Sequence, residues 1–417
     1  MVGPLLQGAV GVCVFLAIAW LLSEDRRAFP WRLVVFGLLL QLGLAVALLR
    51  LPWMREAFLA LNDVVEVLAT ATQAGTAFVF GYLGGGKAPF EVTYPEASFV
   101  LAFQALPLIL VISALSALLW YWGVLRAIVK AFTWLLKRSL GIGGPAGVAT
   151  VANVFVGMVE APILIRPVFP KLTRPDLFLV MTSGMASIAG TVMVLYAAIL
   201  GPVLPGALGH ILVASILSVP ASAVISRIML PAGPTSSPED DRLPKVDYAS
   251  SMEAVTRGTG EGLELFLKVV AMLIVLVALV SLANAILAVL PDVGGLPLTL
   301  QRILGWIFAP LAWCMGLPWS EATTGGQLMG TKTVLNELIA YLDLAALPPD
   351  ALSERSKLIL VYAMCGFANL GSLGIMIGGL SALAPERQAE VVSLGGRSLI
   401  SGTLATVLTG TLVGLIL

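Results

Sequence analysis

Apolar residues follow one another in long runs along most of this chain, and the few charged residues gather between the runs. A run of about 20 apolar residues is long enough to cross a bilayer as a helix. Eight runs of about this length occur, at residues 4–22, 33–49, 99–125, 176–200, 209–230, 263–290, 358–383 and 399–417. The pattern therefore predicts an all-α polytopic membrane protein with eight transmembrane helices.

The positions of lysine and arginine predict how these helices are oriented, because short cytoplasmic loops carry an excess of both. They cluster after the first and third runs, before the fourth, and after the fifth, at Arg26, Arg27, Arg32, Arg126, Lys130, Lys137, Arg138, Arg166, Lys171, Arg174, Arg242, Lys245 and Arg257. All of these clusters lie on one side if the N-terminus is outside. We therefore expect both termini to be periplasmic or extracellular.

Two further regions, residues 141–167 and 319–344, are rich in Gly, Ala, Thr and Pro and do not make a good complete crossing. Each is long enough for two short legs that meet at a bend, which is a re-entrant hairpin. Such backbone is tolerated at membrane depth only where protein or a water-filled cavity surrounds it. The first hairpin would enter from the cytoplasm and the second from outside. Because two crossings follow each hairpin, the pattern predicts an inverted repeat.

Each predicted hairpin carries one central carboxylate, Glu160 in the first and Glu337 in the second. An ionisable group inside the membrane costs at least ~2.5 kcal/mol on insertion scales and is usually functional. Small and polar residues at 184–190 and 366–372 then fall in mid-crossing, where we predict two interrupted helices. Such breaks form solute sites between the repeats of secondary transporters. Close helix packing through small residues is the alternative interpretation.

The remaining segments are amphipathic or polar. Residues 53–79 have an apolar face at helical spacing, and we predict that this segment and residues 298–314 lie along an interface. Residues 231–259 are predicted to form a cytoplasmic loop. Lys332 would either neutralise a carboxylate of the second hairpin or reach the surface. His210, beside a Gly/Pro turn, is assigned to the membrane interface rather than to proton transfer.

Composition agrees with a membrane protein and excludes several functional classes. The chain has 417 residues, of which 59% are hydrophobic and 12% charged, whereas a soluble domain carries about 25% charged residues. A net charge of zero gives no indication of nucleic-acid binding. Three scattered cysteines argue against a disulfide framework or a zinc site. The sequence has no nucleotide-binding loop, metal-ligand cluster or nucleophile–base pair, so neither an enzyme nor a cofactor is expected.

Three motifs of this chain resemble those of the concentrative nucleoside transporters. They are Phe-Val-Gly-x-x-Glu-Ala-Pro-x-Leu-x-Arg-Pro at 155–167, Lys332-x-x-x-Asn336-Glu337-x-x-Ala-Tyr341 and Cys365-Gly-Phe-Ala-Asn369-x-x-Ser372. The resemblance implies eight spans, two hairpins and two interrupted helices in a homotrimer of the bacterial inner membrane. It also implies a scaffold, mainly residues 1–135 and 231–315, and a moving transport unit, residues 136–230 and 316–417.

The resemblance also implies where a nucleoside would bind. Glu337, Asn369 and Ser372 match the positions that bind the ribose hydroxyls. The base-binding positions and the pocket lining correspond to Gly157, Met158, Val159, Glu160, Val192 and Phe367. The family usually has Gln and Thr where this chain has Met158 and Val159. Since a thioether and an isopropyl group make no such hydrogen bonds, we expect atypical base selectivity.

The family's sodium site corresponds to Asn153, Val156, Ser187 and Ile188. Asn153 and Ser187 offer side-chain oxygens, and the other two would offer backbone carbonyls at an unwound segment, which suits Na⁺. The resemblance therefore favours Na⁺ as the coupling ion, although Asn153 and Ser187 are also residues that cap helices.

The sequence thus indicates sodium-coupled nucleoside uptake by alternating access. Proton-coupled symport and transport of another ribosylated solute remain alternatives within the same class. A membrane-embedded enzyme is disfavoured because the chain has a single histidine. A channel is disfavoured because paired hairpins and a coupling-ion site are typical of alternating access.

Overall fold

The computed structural model describes residues 3–93, 98–232 and 248–417, and these residues form 18 α-helices and no strand. One isolated antiparallel bridge joins Val293 and Leu296. The first nine helices are α1 (Pro4–Leu21), α2 (Trp31–Arg50), α3 (Pro52–Phe80), α4 (Leu101–Gln104), α5 (Leu108–Tyr121), α6 (Val124–Leu140), α7 (Gly144–Val156), α8 (Glu160–Ile163) and α9 (Arg174–Ala186).

The second half of the chain is equally helical. Its elements are α10 (Gly190–Leu200), α11 (Ala207–Met229), α12 (Ser251–Leu287), α13 (Leu300–Cys314), α14 (Trp319–Val334), α15 (Glu337–Ala346), α16 (Glu354–Met364), α17 (Leu370–Leu383) and α18 (Gln388–Ile416). The prediction of an all-helical protein is therefore confirmed for the described residues.

Six helical segments in the described parts of the chain are long and apolar enough to cross a membrane. They are α2, α4 with α5, α9 with α10, α11, α12, and α18 with its preceding turn, and they match six of the eight predicted runs. The first run forms the shorter apolar helix α1, and the seventh is divided between α16 and α17. A seventh segment, α13 with α14, is bent by 119°. The number of crossings stays a prediction.

Two of these segments are interrupted where small residues predicted a break. Helix α9 ends before Ser187, whose backbone is extended, and α10 starts at Gly190. Helix α16 ends before Cys365, and α17 starts after the extended residue Asn369. The amide of Phe367 in the second break donates to the carbonyl of Ser187 in the first, at 3.2 Å. The two breaks therefore lie against each other.

The order of elements repeats around these breaks. Helices α7 and α8 are separated by a short bend, and α9, α10 and α11 follow. Helices α14 and α15 are separated by a similar bend at residues 335–336, and α16, α17 and α18 follow. The bends fall inside the two predicted hairpin regions. The duplication of elements agrees with a repeat, while the re-entrant path of each hairpin stays a prediction.

Ion pairs gather several connections at one end of the molecule. Glu24 pairs with Arg174 at 3.0 Å and with Arg397 at 3.1 Å, and Asp176 pairs with Arg227. These residues belong to connections or helix ends near the first, fourth, fifth and eighth predicted crossings. The charge pattern placed those connections on one side of the membrane. Their clustering agrees with that arrangement, and the side itself stays a prediction.

The opposite end of the molecule contains the start of α1 and the end of α18. The side-chain amide of Gln7 donates to the carbonyl of Leu317 at 2.8 Å. The guanidinium of Arg355 donates to the carbonyls of Gly316 and Gly414, each at 2.7 Å. The start of α1 and the end of α18 therefore lie close together.

Two boundaries predicted from the sequence are wrong. The third run, 99–125, ends at Tyr121, and the left-handed Gly123 (φ 83°) starts the separate amphipathic helix α6. The predicted domain boundary at 135/136 falls within α6, and the division into domains stays a prediction. The loop predicted at 231–259 lies outside the described residues at 233–247, and its last part is the beginning of α12. There Ser250 accepts a hydrogen bond from the amide of Glu253 at 3.1 Å, which is an N-cap.

Helix α12 packs tightly on α5 and otherwise exposes apolar side chains. Gly258 and Gly262 allow its backbone to approach Ser113 and Ala117 of α5 closely, so that any larger side chain would collide there. Only 6% of its most apolar stretch is buried inside the chain. The predicted amphipathic segment at 53–79 is helical in α3, and residues 298–314 are largely helical in α13. The placement of both at an interface stays a prediction.

The buried pair between Asp176 and Arg227 gives a stability test. We expect Asp176→Asn to lower the melting temperature of the purified protein clearly, because it leaves a largely buried guanidinium without its charge partner. Breaking a buried pair costs about 3–5 kcal/mol. The control is Glu354→Gln, which removes the exposed carboxylate that pairs with Lys357, and pairs with an exposed partner contribute about 0–1 kcal/mol. Equal melting temperatures of the two variants would contradict the prediction.

Candidate functional site

A cavity of about 320 Å³ lies where the two hairpin bends meet the two interrupted helices. This is within the size range of small-molecule sites, about 300–1,000 Å³. The nine residues predicted to bind substrate come from both halves of the chain and all line it: Gly157, Met158, Val159, Glu160, Val192, Glu337, Phe367, Asn369 and Ser372. The structure thus brings the whole predicted set together around one space.

Glu337 is the most firmly held polar group of the cavity. It is the first residue of α15, after Asn336, whose side chain caps the helix by accepting from the amide of Ile339 at 3.0 Å. A carboxylate is favoured there because helix N-termini carry partial positive charge. The hydroxyl of Tyr196 donates to Oε1 at 2.6 Å, and the amide of Asn369 donates to Oε2 at 3.0 Å.

Asn369 connects this carboxylate to the second interrupted helix. It is the N-cap of α17, and its Oδ1 accepts from the amide of Ser372 at 2.7 Å, while its Nδ2 faces Glu337. Oε1 of Glu337 accepts from Tyr196 and Oε2 accepts from Asn369, and each oxygen can accept a further hydrogen bond. The site can therefore accept hydrogen bonds from a ligand with two neighbouring hydroxyl groups.

The first hairpin bends at Gly157, which has a left-handed backbone (φ 116°). A side chain there would lie 2.5 Å from Oε2 of Glu160 and 3.3 Å from Ala189. Glycine is thus required both by the backbone conformation and by the space. The bend exposes Glu160 to the cavity, opposite the face of α12 that carries Lys268.

Met158 and Val159 form an apolar part of the cavity wall and also pack between helices. Met158 is buried against Gly184 of α9. Val159 packs against Gly379 of α17, where an added Cβ would come within 2.7 Å of the valine side chain. Neither side chain carries a hydrogen-bond donor, so this part of the wall is apolar.

The four residues predicted to hold Na⁺ lie at the ends of α7 and α9. Nδ2 of Asn153 donates to Oγ of Ser187 at 2.5 Å and to the carbonyl of Ser183 at 2.9 Å. Ile188 is fully buried, and Val156, the last residue of α7, also lines the cavity. Side chains from two separate helices therefore meet at this point.

The chemistry of this group fits a cation. Oδ1 of Asn153 is buried and has no hydrogen-bond partner among the described residues. The last carbonyls of α7 and α9 have no partner within their own helices, and helix C-termini carry partial negative charge. An unpaired amide oxygen between two such ends offers the oxygen ligands that a hard monovalent cation requires.

Sequence reasoning missed several residues of the cavity. One of them is Tyr196, which donates a hydrogen bond to Glu337. Its only sign in the sequence is that it is the single tyrosine of the fourth apolar run. One face of α12 contributes three charged residues, Arg257, Glu261 and Lys268, at helical spacing. Two aromatic residues from separate elements, Trp120 and Tyr248, also line the cavity.

Comparison with protein-family models gives three matches along the chain. Residues 210–414 match a model described as Na⁺ dependent nucleoside transporter C-terminus. Residues 10–83 match its N-terminal counterpart, and residues 102–203 match a model described as nucleoside recognition. The matched segments contain both interrupted helices and both hairpin bends.

Similar proteins cover nearly the whole chain. An uncharacterized transporter of Haemophilus influenzae is 37% identical over 98% of this chain and 97% of its own. The nucleoside permease NupC of Helicobacter pylori is 33% identical over 100% of this chain and 98% of its own. The structure of CNTnw in an inward-facing substrate-bound state has a TM-score of 0.86, with 34% identity and 98% coverage of each chain. An outward-facing variant of CNTnw has a TM-score of 0.85, with 34% identity over 99% of this chain and 97% of its own.

Proposed function

We propose that this protein, which belongs to the Na⁺-dependent nucleoside transporter family, takes up nucleosides together with Na⁺ by alternating access. The observation that carries the proposal is the cavity itself. Nine residues from two distant halves of the chain line one space of about 320 Å³, with a capped and hydrogen-bonded carboxylate in its wall. Membership of a family of transporters agrees with the absence of enzyme motifs from the sequence.

Glu337, Asn369 and Ser372 would bind the ribose. The carboxylate oxygens of Glu337 accept hydrogen bonds from vicinal hydroxyl groups, and the amide of Asn369 keeps the carboxylate in place. A buried site built to pair with hydroxyls rejects analogues that lack them, because its own polar groups would then be left unpaired. Ribose recognition would therefore supply most of the polar selectivity.

Gly157, Met158, Val159 and Glu160 would face the base, with Val192 and Phe367 beside it. Since Met158 and Val159 also pack on α9 and α17, they would present apolar surface to the base. Methionine is flexible and fills irregular gaps. We infer that this protein favours a larger or less polar base face over uracil.

Na⁺ would bind at Asn153, Val156, Ser187 and Ile188. Bound there, the ion would supply the positive charge that holds the ends of α7 and α9 together. The carbonyl of Ser187 already accepts from Phe367, a cavity residue. An ion that orders the first break would thus also order the second break. This would couple the binding of Na⁺ to the binding of the nucleoside. Proton coupling is the alternative, and another ribosylated solute remains an alternative substrate.

The packing of the helices supports a division into a moving unit and a scaffold. Helices α5 and α12 pack on each other through Gly258 and Gly262, while α9, α11 and α18 pack together. Helices α1 and α2 pack on α11 and α18. We therefore propose that α1 and α2 move with the transport unit, rather than belonging to a scaffold of residues 1–135.

Alternating access would follow from the two hairpins entering the bacterial inner membrane from opposite sides, with both termini outside. It is supported by CNTnw, which occurs in inward-facing and outward-facing states. The exposed apolar face of α12 would form the contact between subunits of a homotrimer. This contact would stay unchanged while the transport unit moves.

Glu337→Gln tests the ribose site. We expect it to abolish nucleoside uptake into proteoliposomes although the protein still inserts and assembles. Hydrogen bonds to a charged group contribute ~1.5–3 kcal/mol, or about 10- to 150-fold in affinity. For the same reason a 2′,3′-dideoxynucleoside should bind poorly to the wild type. Glu354→Gln, on the exposed surface, is the control. Wild-type transport by Glu337→Gln would remove Glu337 from the site.

The sodium site is tested by Asn153→Ala and Ser187→Ala. Each should raise the Na⁺ concentration for half-maximal uptake, since each removes one ligand, and reciprocal linkage should also weaken nucleoside binding. Ser218→Ala is the control, because this buried hydroxyl donates only to its own helix, at Ala214. Uptake that persists in choline but follows external acidity would instead indicate proton coupling and structural roles for both residues.

Base selection is tested by the double substitution Met158→Gln with Val159→Thr. We expect it to restore pyrimidine preference by about 1–3 kcal/mol if one or two buried hydrogen bonds are regained. The measurement is competition of labelled nucleoside uptake by uridine, cytidine, adenosine and inosine, in the wild type and in the variant. The same order of inhibition in both proteins would mean that these positions do not read the base.

A further inference from the structure

Lys332 is a buried cation that lies behind the cavity rather than in its wall. It belongs to the last turn of α14 and is fully inaccessible, so it does not reach the surface. Its Nζ has no hydrogen-bond partner among the described residues. An ammonium group removed from water carries a desolvation penalty of several kcal/mol. Something nearby must therefore compensate its charge.

Two features of the second hairpin compensate it in part. The C-terminal end of α14 carries partial negative charge, which favours a cation in its last turn. Beyond the bend, five residues further along the chain, Glu337 attracts Lys332 electrostatically. The two residues occupy facing helix ends of the same hairpin, one at the end of α14 and the other at the start of α15.

The other groups around Glu337 are neutral hydrogen-bonding groups. Helix α10 contributes the hydroxyl of Tyr196, the start of α17 contributes the amide of Asn369, and Tyr341 and Cys365 lie close by. Among the groups that act on Glu337, Lys332 is the cation.

We propose that Lys332 is a positioning residue for the nucleoside site, whose ammonium stabilises the charge of the Glu337 carboxylate that accepts the ribose hydroxyls. A charged carboxylate is an acceptor only, whereas a neutral carboxyl group places a donor in the site. This role rests on the proposed function. It extends that function by assigning the ribose selectivity to a residue that does not touch the nucleoside.

The experiment measures how strongly the protein distinguishes a ribonucleoside from its analogue without hydroxyl groups. Binding of adenosine and 2′,3′-dideoxyadenosine, and of uridine and 2′,3′-dideoxyuridine, is measured for the purified full-length protein in sodium buffer. We expect the wild type to prefer the ribonucleoside by at least about 10-fold. Lys332→Met should reduce this ratio to less than about 3-fold, mainly by weakening the ribonucleoside. The control Lys357→Met removes a lysine that is paired with Glu354 and should keep the ratio.

The two proposals fail in different measurements. If Lys332→Met weakens both members of a pair equally and keeps the ratio, Lys332 has only a structural role and this proposal is overturned. If the wild type itself does not distinguish them, the ribose site is wrong, and the role of Lys332 falls with it.

If Lys332→Met is too unstable for binding measurements, melting temperatures test the pairing of Lys332 with Glu337 instead. The melting temperatures of Lys332→Met, Glu337→Gln and the double variant are compared. Because removal of one member of a buried pair leaves the other uncompensated, we expect the double variant to melt above Lys332→Met. A double variant that melts as low as Lys332→Met, or lower, would overturn the pairing.

Discussion

The structure depends on how broken helices satisfy their backbone groups inside an apolar environment. A helix break leaves amides and carbonyls without partners, and at membrane depth no bulk water replaces them. Here one group of each break is paired with the other break, because the amide of Phe367 donates to the carbonyl of Ser187. Asn369 then caps the helix that resumes after the second break. The cavity exists because both breaks lie at the same place.

The polar groups of the cavity are held by partners from different elements. Glu337 is bound by Tyr196 from one interrupted helix and by Asn369 from the other. Any relative movement of these helices would therefore change the contacts of the carboxylate. In the proposed function, binding of a nucleoside at Glu337 would therefore depend on the relative positions of these helices.

Close packing through glycine shapes the edge of the cavity. Gly258 and Gly262 bring α12 against α5, and this pair contributes a charged face opposite the tip of the first hairpin. Small residues on α9 and α17 allow Met158 and Val159 to fit between them. Glycine thus permits the close packing of α12 on α5. Glycine also shapes the wall formed by Met158 and Val159, the positions at which this chain departs from the usual family pattern.

The sequence alone determined the apolar runs, both mid-helix breaks and both hairpin bends, because each follows from local composition. It also predicted nine residues that meet in one cavity, eight of them within three motifs. It failed at α6 and at the start of α12, although Ser250 and Glu253 have the spacing of a helix cap. Tyr196 and the charged face of α12 were missed because they belong to none of the three motifs. Only the tertiary structure places them beside Glu337 and Glu160, since packing of distant helices decides which side chains share a space.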